Sequence, residues 1–113
     1  MSEEVLILSG SRTAIGSFGG SLKSTSNIEL GTLVADCAIK NAGIEREEIE
    51  QVVFGHVINT EPKDMYLSRV IALKAGMPTS VVAMNVNRLC GSGLQALVSL
   101  IQTLSLGDAK FGL

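Results

Sequence analysis

The stretch Val81-Val82-Ala83-Met84-Asn85-Val86-Asn87-Arg88-Leu89-Cys90-Gly91-Ser92-Gly93-Leu94-Gln95-Ala96 decides the architecture. Its first six residues form a short, mostly apolar run, which reads as a strand over 81–86. Asn87-Arg88-Leu89 then turns sharply, and residues 90–106 read as a long helix closed by Gly107. Between Arg88 and Asp108 no residue carries a charge. Such a helix is buried on most of its surface. A membrane span would also lack charge, but Gln95, Ser99, Gln102, Thr103 and Ser105 argue against one. The expectation is a helix held between two layers. One small sheet covers only one side of it, so the second layer is expected from outside these residues.

Working outward, the same alternation recurs. Val5-Leu6-Ile7-Leu8, closed by Ser9-Gly10, reads as a first strand buried on both faces. Residues 11–26 are rich in Gly and Ser and read as an ordered loop in which Ile15, Phe18 and Leu22 find something to bury. Ser26 and Glu29 stand at capping-box spacing, which starts a helix there. Leu30, Leu33, Val34, Cys37 and Ala38 recur at three and four as its apolar face, and Gly43 ends it. The acidic residues 45–50 read as a solvated helical turn and 52–58 as a second strand. Residues 59–64 form a polar loop, and a second helix runs from Met65 to Ala75, stopped by Gly76 and Pro78. Phe111-Gly112-Leu113 reads as the opening of a fourth strand. Strands alternating with helices predict an α/β fold with a parallel sheet and right-handed crossovers.

Composition narrows the function. The 113 residues suit one domain, or part of a larger one. Hydrophobic residues make up 46% against 18% charged, which excludes disorder and suggests that some faces are covered by something else. A net charge of −2 with no Lys/Arg run excludes a basic nucleic-acid footprint. Cys37 and Cys90 make no disulfide framework, and one His with two distant Cys gives no metal-ligand spacing. The start, Met1-Ser2-Glu3-Glu4, has neither a basic region before an apolar stretch nor the Arg-rich character of a transit peptide. Free thiols then fit a reducing, cytoplasmic setting best.

The strand-to-helix turn is where chemistry is expected. A thiol there meets the partial positive charge of a helix N-terminus, which favours thiolate over thiol. The same amides can stabilise an oxyanion on a carbonyl attacked by sulfur. Gly91 and Gly93 remove side chains where a substrate must approach the backbone. This is the logic of the nucleophile elbow, with Cys90 in place of Ser. On spacing alone, a small buried Cys packing a tight turn stays open as the alternative.

The string Asn87-Arg88-Leu89-Cys90-Gly91-Ser92-Gly93-Leu94-Gln95-Ala96 resembles the nucleophile motif of the thiolases. Ser11-Arg12-Thr13-Ala14-Ile15-Gly16 and Phe18-Gly19-Gly20-Ser21-Leu22 resemble that family's N-terminal signature. Thr60-Glu61-Pro62-Lys63-Asp64-Met65-Tyr66-Leu67 resembles, more narrowly, broad-range bacterial β-ketothiolases. The resemblance implies acyl transfer between a thioester and coenzyme A through an acyl-Cys90 intermediate, with the Cys90 N–H contributing to an oxyanion hole. It implies CoA and acyl-CoA as substrates, no tightly bound cofactor or metal, and a homodimer or homotetramer. It also implies a five-layered αβαβα fold, of which residues 1–113 would be a partial N-terminal domain cut within its fourth strand. The family's activating His and second acid/base Cys lie in later motifs; neither His56 nor Cys37 matches them.

Other residues take structural readings. His56 is expected as a structural residue in a strand and Cys37 as core packing. Arg88 is expected in a salt bridge or subunit contact, and Glu61 and Asp64 in a solvated or interfacial loop. Ser92 serves the first turn of the helix, and Met65 and Tyr66 pack in a core or interface. Two other functions stand beside the thiolase: a ketoacyl-synthase-like condensing enzyme, and a non-catalytic piece that binds a partner through oily faces.

Overall fold

A computed structural model describes residues 4–113; the first three residues of the acidic start lie outside the described residues. The sheet is built on β1 (Gln51–Gly55) and β2 (Val82–Val86), which run parallel with Gln51 opposite Val82 and Gly55 opposite Val86. Residues 111–113 lie along the other edge of β1. Gly112 bridges Gln51 in parallel, the Leu113 N–H donates to the Gln51 carbonyl at 2.9 Å, and the Val53 N–H donates to the Leu113 carbonyl at 2.8 Å. Where a strand is predicted at 111–113, the structure shows an isolated parallel bridge to β1.

Three helices cover the sheet: α1 (Asn27–Ala42), α2 (Leu67–Lys74) and α3 (Ser92–Ser105). Alternation along β1 divides the core. Val52 and Phe54 face α1 and α2, joining Ile28, Ala35 and Ile39 of α1 and Leu67, Ile71 and Ala72 of α2. Val53 faces the other way, onto Ala96 and Leu100 of α3. The result is an α/β/α sandwich, in agreement with the expected fold class.

Local signals set most boundaries. The Ser26 hydroxyl accepts from the Glu29 N–H at 3.0 Å while the Glu29 carboxylate accepts from the Ser26 N–H at 2.8 Å, and Gly43 closes α1 at φ 68°. A 3₁₀ turn at Arg46–Glu48 takes the acidic stretch. The second helix divides into a 3₁₀ turn at Pro62–Tyr66 and α2 proper. It starts earlier than predicted because Pro62 and Asp64 build the N-terminus.

Four expectations are corrected. Residues 5–8 form no strand: among the described residues they have no partner on either edge, and Leu6, Ile7 and Leu8 are exposed. Ile15 and Phe18 are exposed too, in a loop held by its own backbone turns, such as Gly20 N–H to the Ser17 carbonyl at 2.8 Å. The inner face of α1 is Ile28, Gly31, Ala35 and Ile39, so the predicted face, with Leu33 and Cys37, points outward. Asp64 is fully buried rather than solvated, whereas Met65 and Tyr66 are exposed, which removes the core alternative for that pair. The uncharged α3 buries Ser92, Ala96 and Leu100 and leaves Leu94 and Val98 exposed on its other side.

Candidate active site

The turn between β2 and α3 is short and highly determined. The Asn87 side-chain oxygen accepts from the Leu89 N–H at 3.1 Å, a local turn that Asn favours. The Gly91 N–H donates to the Arg88 carbonyl at 3.0 Å and the Ser92 N–H to the Leu89 carbonyl at 3.1 Å. Leu89 is held at φ 48°, the one non-glycine residue with positive φ among the described residues. A left-handed leucine costs roughly 1–2 kcal/mol and persists only where its surroundings determine it. Cys90 comes next, exposed as a free thiol, and Gly91 is the N-cap of α3. A Cβ at Gly93 would meet nothing within 4 Å, so the space beside the first turn is open. Cys90, Gly91 and Gly93 are thus brought together at one helix start, where the dipole and amides favour an anion.

The other titratable candidates lie elsewhere in the hydrogen-bond pattern. His56 follows β1, and its N–H donates to the Val86 carbonyl at 2.9 Å, which places it at the same end of the sheet as the turn. Its ring Nε2 lies 2.8 Å from the Asn59 side-chain oxygen. Cys37 is exposed on α1 with the Asn41 amide 3.5 Å from its sulfur. Arg88 makes no ion pair among the described residues; its guanidinium donates to the Gln95 side chain at 3.1 Å. No carboxylate stands on α3 to receive it.

Sequence reasoning missed two supports of this end of the sheet. Gly55, at the end of β1, lies so close to α3 that a Cβ there would sit 2.6 Å from the Ser92 carbonyl carbon and 2.8 Å from the Gly93 nitrogen. The second is a buried polar network. One carboxylate oxygen of Asp64 accepts from the Thr60 N–H at 2.7 Å, the Thr60 hydroxyl at 2.8 Å, the Asn27 amide at 3.0 Å and the Glu61 N–H at 3.3 Å. The Thr60 N–H above all, with the Thr60 hydroxyl and Asn27, holds the carboxyl below the usual range against the opposing effect of burial. The Asn85 amide of β2 donates to the carbonyls of Asp64 and Met65, both at 3.2 Å. The Asn85 oxygen accepts from the Ser68 hydroxyl at 2.6 Å. The loop before α2 is thereby tied to the strand that carries Cys90. Pro62 followed by Asp64 was the available signal for the loop; nothing in the sequence announced Ser68 with Asn85.

Comparison with known proteins places this geometry. A family model described as "Thiolase, N-terminal domain" matches residues 5–113. The chain is 55% identical over 108 residues to the β-ketothiolase BktB of Cupriavidus necator, covering 96% of this chain and 27% of that protein. It is 39% identical over 108 residues to the cytosolic acetyl-CoA acetyltransferase of Mus musculus, again covering 96% and 27%. Among solved structures it is similar to human mitochondrial 3-ketoacyl-CoA thiolase in complex with CoA, with a TM-score of 0.88, 31% identity, and coverage of 90% of this chain and 26% of that one. The chain therefore spans about a quarter of the length of the relatives it matches. Nearly every residue falls within one family description, and the chain belongs to the thiolase family, within its N-terminal domain.

Proposed function

We propose that these residues supply the nucleophile of a thiolase, with Cys90 as the group that takes the acyl chain. One observation carries this reading: an exposed thiol stands between a left-handed Leu89 and the first turn of α3, inside the matched family segment. The Cys90 thiolate attacks the keto carbonyl of a 3-ketoacyl-CoA. A C–S bond forms, and the carbon–carbon bond beyond the carbonyl breaks. The electron pair leaves as the enolate of acetyl-CoA, which takes up a proton. The thiol of free CoA then attacks the acyl-Cys90 thioester, a new acyl-CoA departs, and the Cys90 thiolate is restored. Run in reverse, the same steps condense two acyl-CoA molecules. Amides at the start of α3, the Cys90 N–H among them, stabilise the oxyanion of each tetrahedral state. Gly93 leaves the approach open, while a side chain at Gly91 would pack against Arg88. The activating His and the second acid/base Cys belong to motifs outside residues 1–113.

The likeness to a structure solved with CoA supports acyl-CoA and CoA as substrates. The 39% identity to a cytosolic enzyme supports cytoplasmic placement. No helix among the described residues is long and apolar enough to cross a membrane. A homodimer or homotetramer is part of the same proposal, joined at the β2 edge, where Val82 and Met84 are exposed. In the full-length protein, Cys90→Ser should lower thiolytic turnover by about a thousandfold or more, because a serine alkoxide is far harder to form than a thiolate. Turnover within tenfold of wild type would refute the assignment.

A further inference from the structure

Ser92 is the one buried polar residue of α3, 4% exposed, and its hydroxyl does not face solvent or cap the helix ahead of it. It reaches back across the turn. Its hydroxyl oxygen accepts from the Arg88 N–H at 2.7 Å and its O–H donates to the Leu89 carbonyl at 2.7 Å. The Leu89 carbonyl and the Cys90 N–H belong to one planar peptide unit. Fixing the carbonyl therefore fixes where the Cys90 N–H points. Two donors meet at that carbonyl, the Ser92 hydroxyl and the Ser92 N–H, and polarise the peptide so that its own N–H donates more strongly. Gly55 lets the end of β1 press against the Ser92–Gly93 peptide, which seats the start of α3 against the sheet.

We propose that Ser92 is a positioning residue. Its hydroxyl clasps the turn and aims the Cys90 N–H at the oxygen of the carbonyl under attack. The inference rests on the reading of Cys90 as nucleophile, and two reactions of one thiol separate them. Acylation by acetyl-CoA passes through an oxyanion. Alkylation by iodoacetamide is a direct displacement and builds no oxyanion on the attacked carbon.

In the full-length protein, both rates at Cys90 are measured by quenched single-turnover reactions and fragment-level mass spectrometry. Removing one oxyanion donor outright costs on the order of 10²–10³ in rate, so misaiming it in Ser92→Ala should slow acylation about 30-fold or more. The loss should fall on the rate at saturating acetyl-CoA and not on the concentration needed to saturate. Alkylation and its pH profile should stay within about threefold of wild type, since the sulfur is not moved. Ser92→Thr keeps the hydroxyl and should recover most of the acylation rate. Should Ser92→Ala fail to fold, Ser92→Cys, close in volume with only a weak donor, carries the same expectation. Acylation of Ser92→Ala within threefold of wild type would overturn the proposal, as would an equal fall in both reactions, which marks a merely structural role. Wild-type protein that alkylates at Cys90 yet acylates elsewhere would overturn the underlying reading of Cys90 as well.

Discussion

Asp64 shows how far a single side chain departs from what its type suggests. In the run Glu61-Pro62-Lys63-Asp64 it reads as a charge in a solvated or interfacial loop, yet it is 0% exposed, with four donors on one oxygen and, among the described residues, no partner on the other. A buried carboxylate survives only when donors replace its water, and those donors come from Asn27, Thr60 and Glu61. Its folded pKa lies below the ordinary value of 3.8, with the Thr60 N–H as the main cause. The stabilisation is therefore fully present above that value and is lost as pH falls through the folded pKa. Thermal melts of the full-length protein should show a drop below about pH 4 that Asp64→Asn reduces. Asp64→Ala strands several donors and should cost about 3 kcal/mol at neutral pH, measured by denaturant unfolding. Equal acid profiles for wild type and Asp64→Asn would show that the carboxylate's charge plays no part. The turn residue Leu89 was equally illegible, since its positive φ is imposed by Asn87 and Ser92 and not by any preference of leucine.

Elements were readable where a short-range rule governs them. The capping box at Ser26 and Glu29 and the glycine stop at Gly43 gave α1 its ends. The uncharged run after Arg88 gave α3. Its orientation is another matter for α1, which is apolar on two sides. Gly31 and Ala35 contribute little to a hydrophobic pattern, so the side bearing Leu33, Val34 and Cys37 reads as the core. The structure chooses the small-residue side because it allows α1 to approach α2 closely: a Cβ at Gly31 would overlap the end of the Ile71 side chain. Gly31→Ala should gain up to about 1 kcal/mol of helix propensity and lose about 1–3 kcal/mol to overpacking. A net destabilisation is expected in urea unfolding, and adding Ile71→Val should recover part of it. Stabilisation by Gly31→Ala alone would contradict the close approach. Residues 5–8 failed as a strand for a different reason. Pairing depends on a neighbour, and no local signal states whether one is present.

At the scale of the molecule, several apolar surfaces stay without cover among the described residues, two of them beside the candidate site. One is the outer side of α3 with Leu94 and Val98. The other is the open edge of β2 with Val82 and Met84, which bears no charge to guard it. An apolar cavity of about 340 Å³ lies between residues 5–8, α1 and α3, reaching Phe111 and Leu113. These faces are what a composition rich in apolar residues and poor in charge announced before any fold was visible. If β2 meets its copy in a dimer, Val82→Asp places a charge in that contact and should shift the full-length enzyme toward monomer in light scattering, or unfold it. An unchanged oligomer would move the contact elsewhere. Cys90, not the also exposed Cys37, is the thiol proposed to receive the acyl group. The most direct measurement is to incubate the full-length protein with acetyl-CoA, quench in acid and map acetylation by peptide mass spectrometry. A thioester is expected on the peptide containing Cys90, removed by added CoA; an adduct on Cys37 with Cys90 unmodified would contradict the assignment of Cys90.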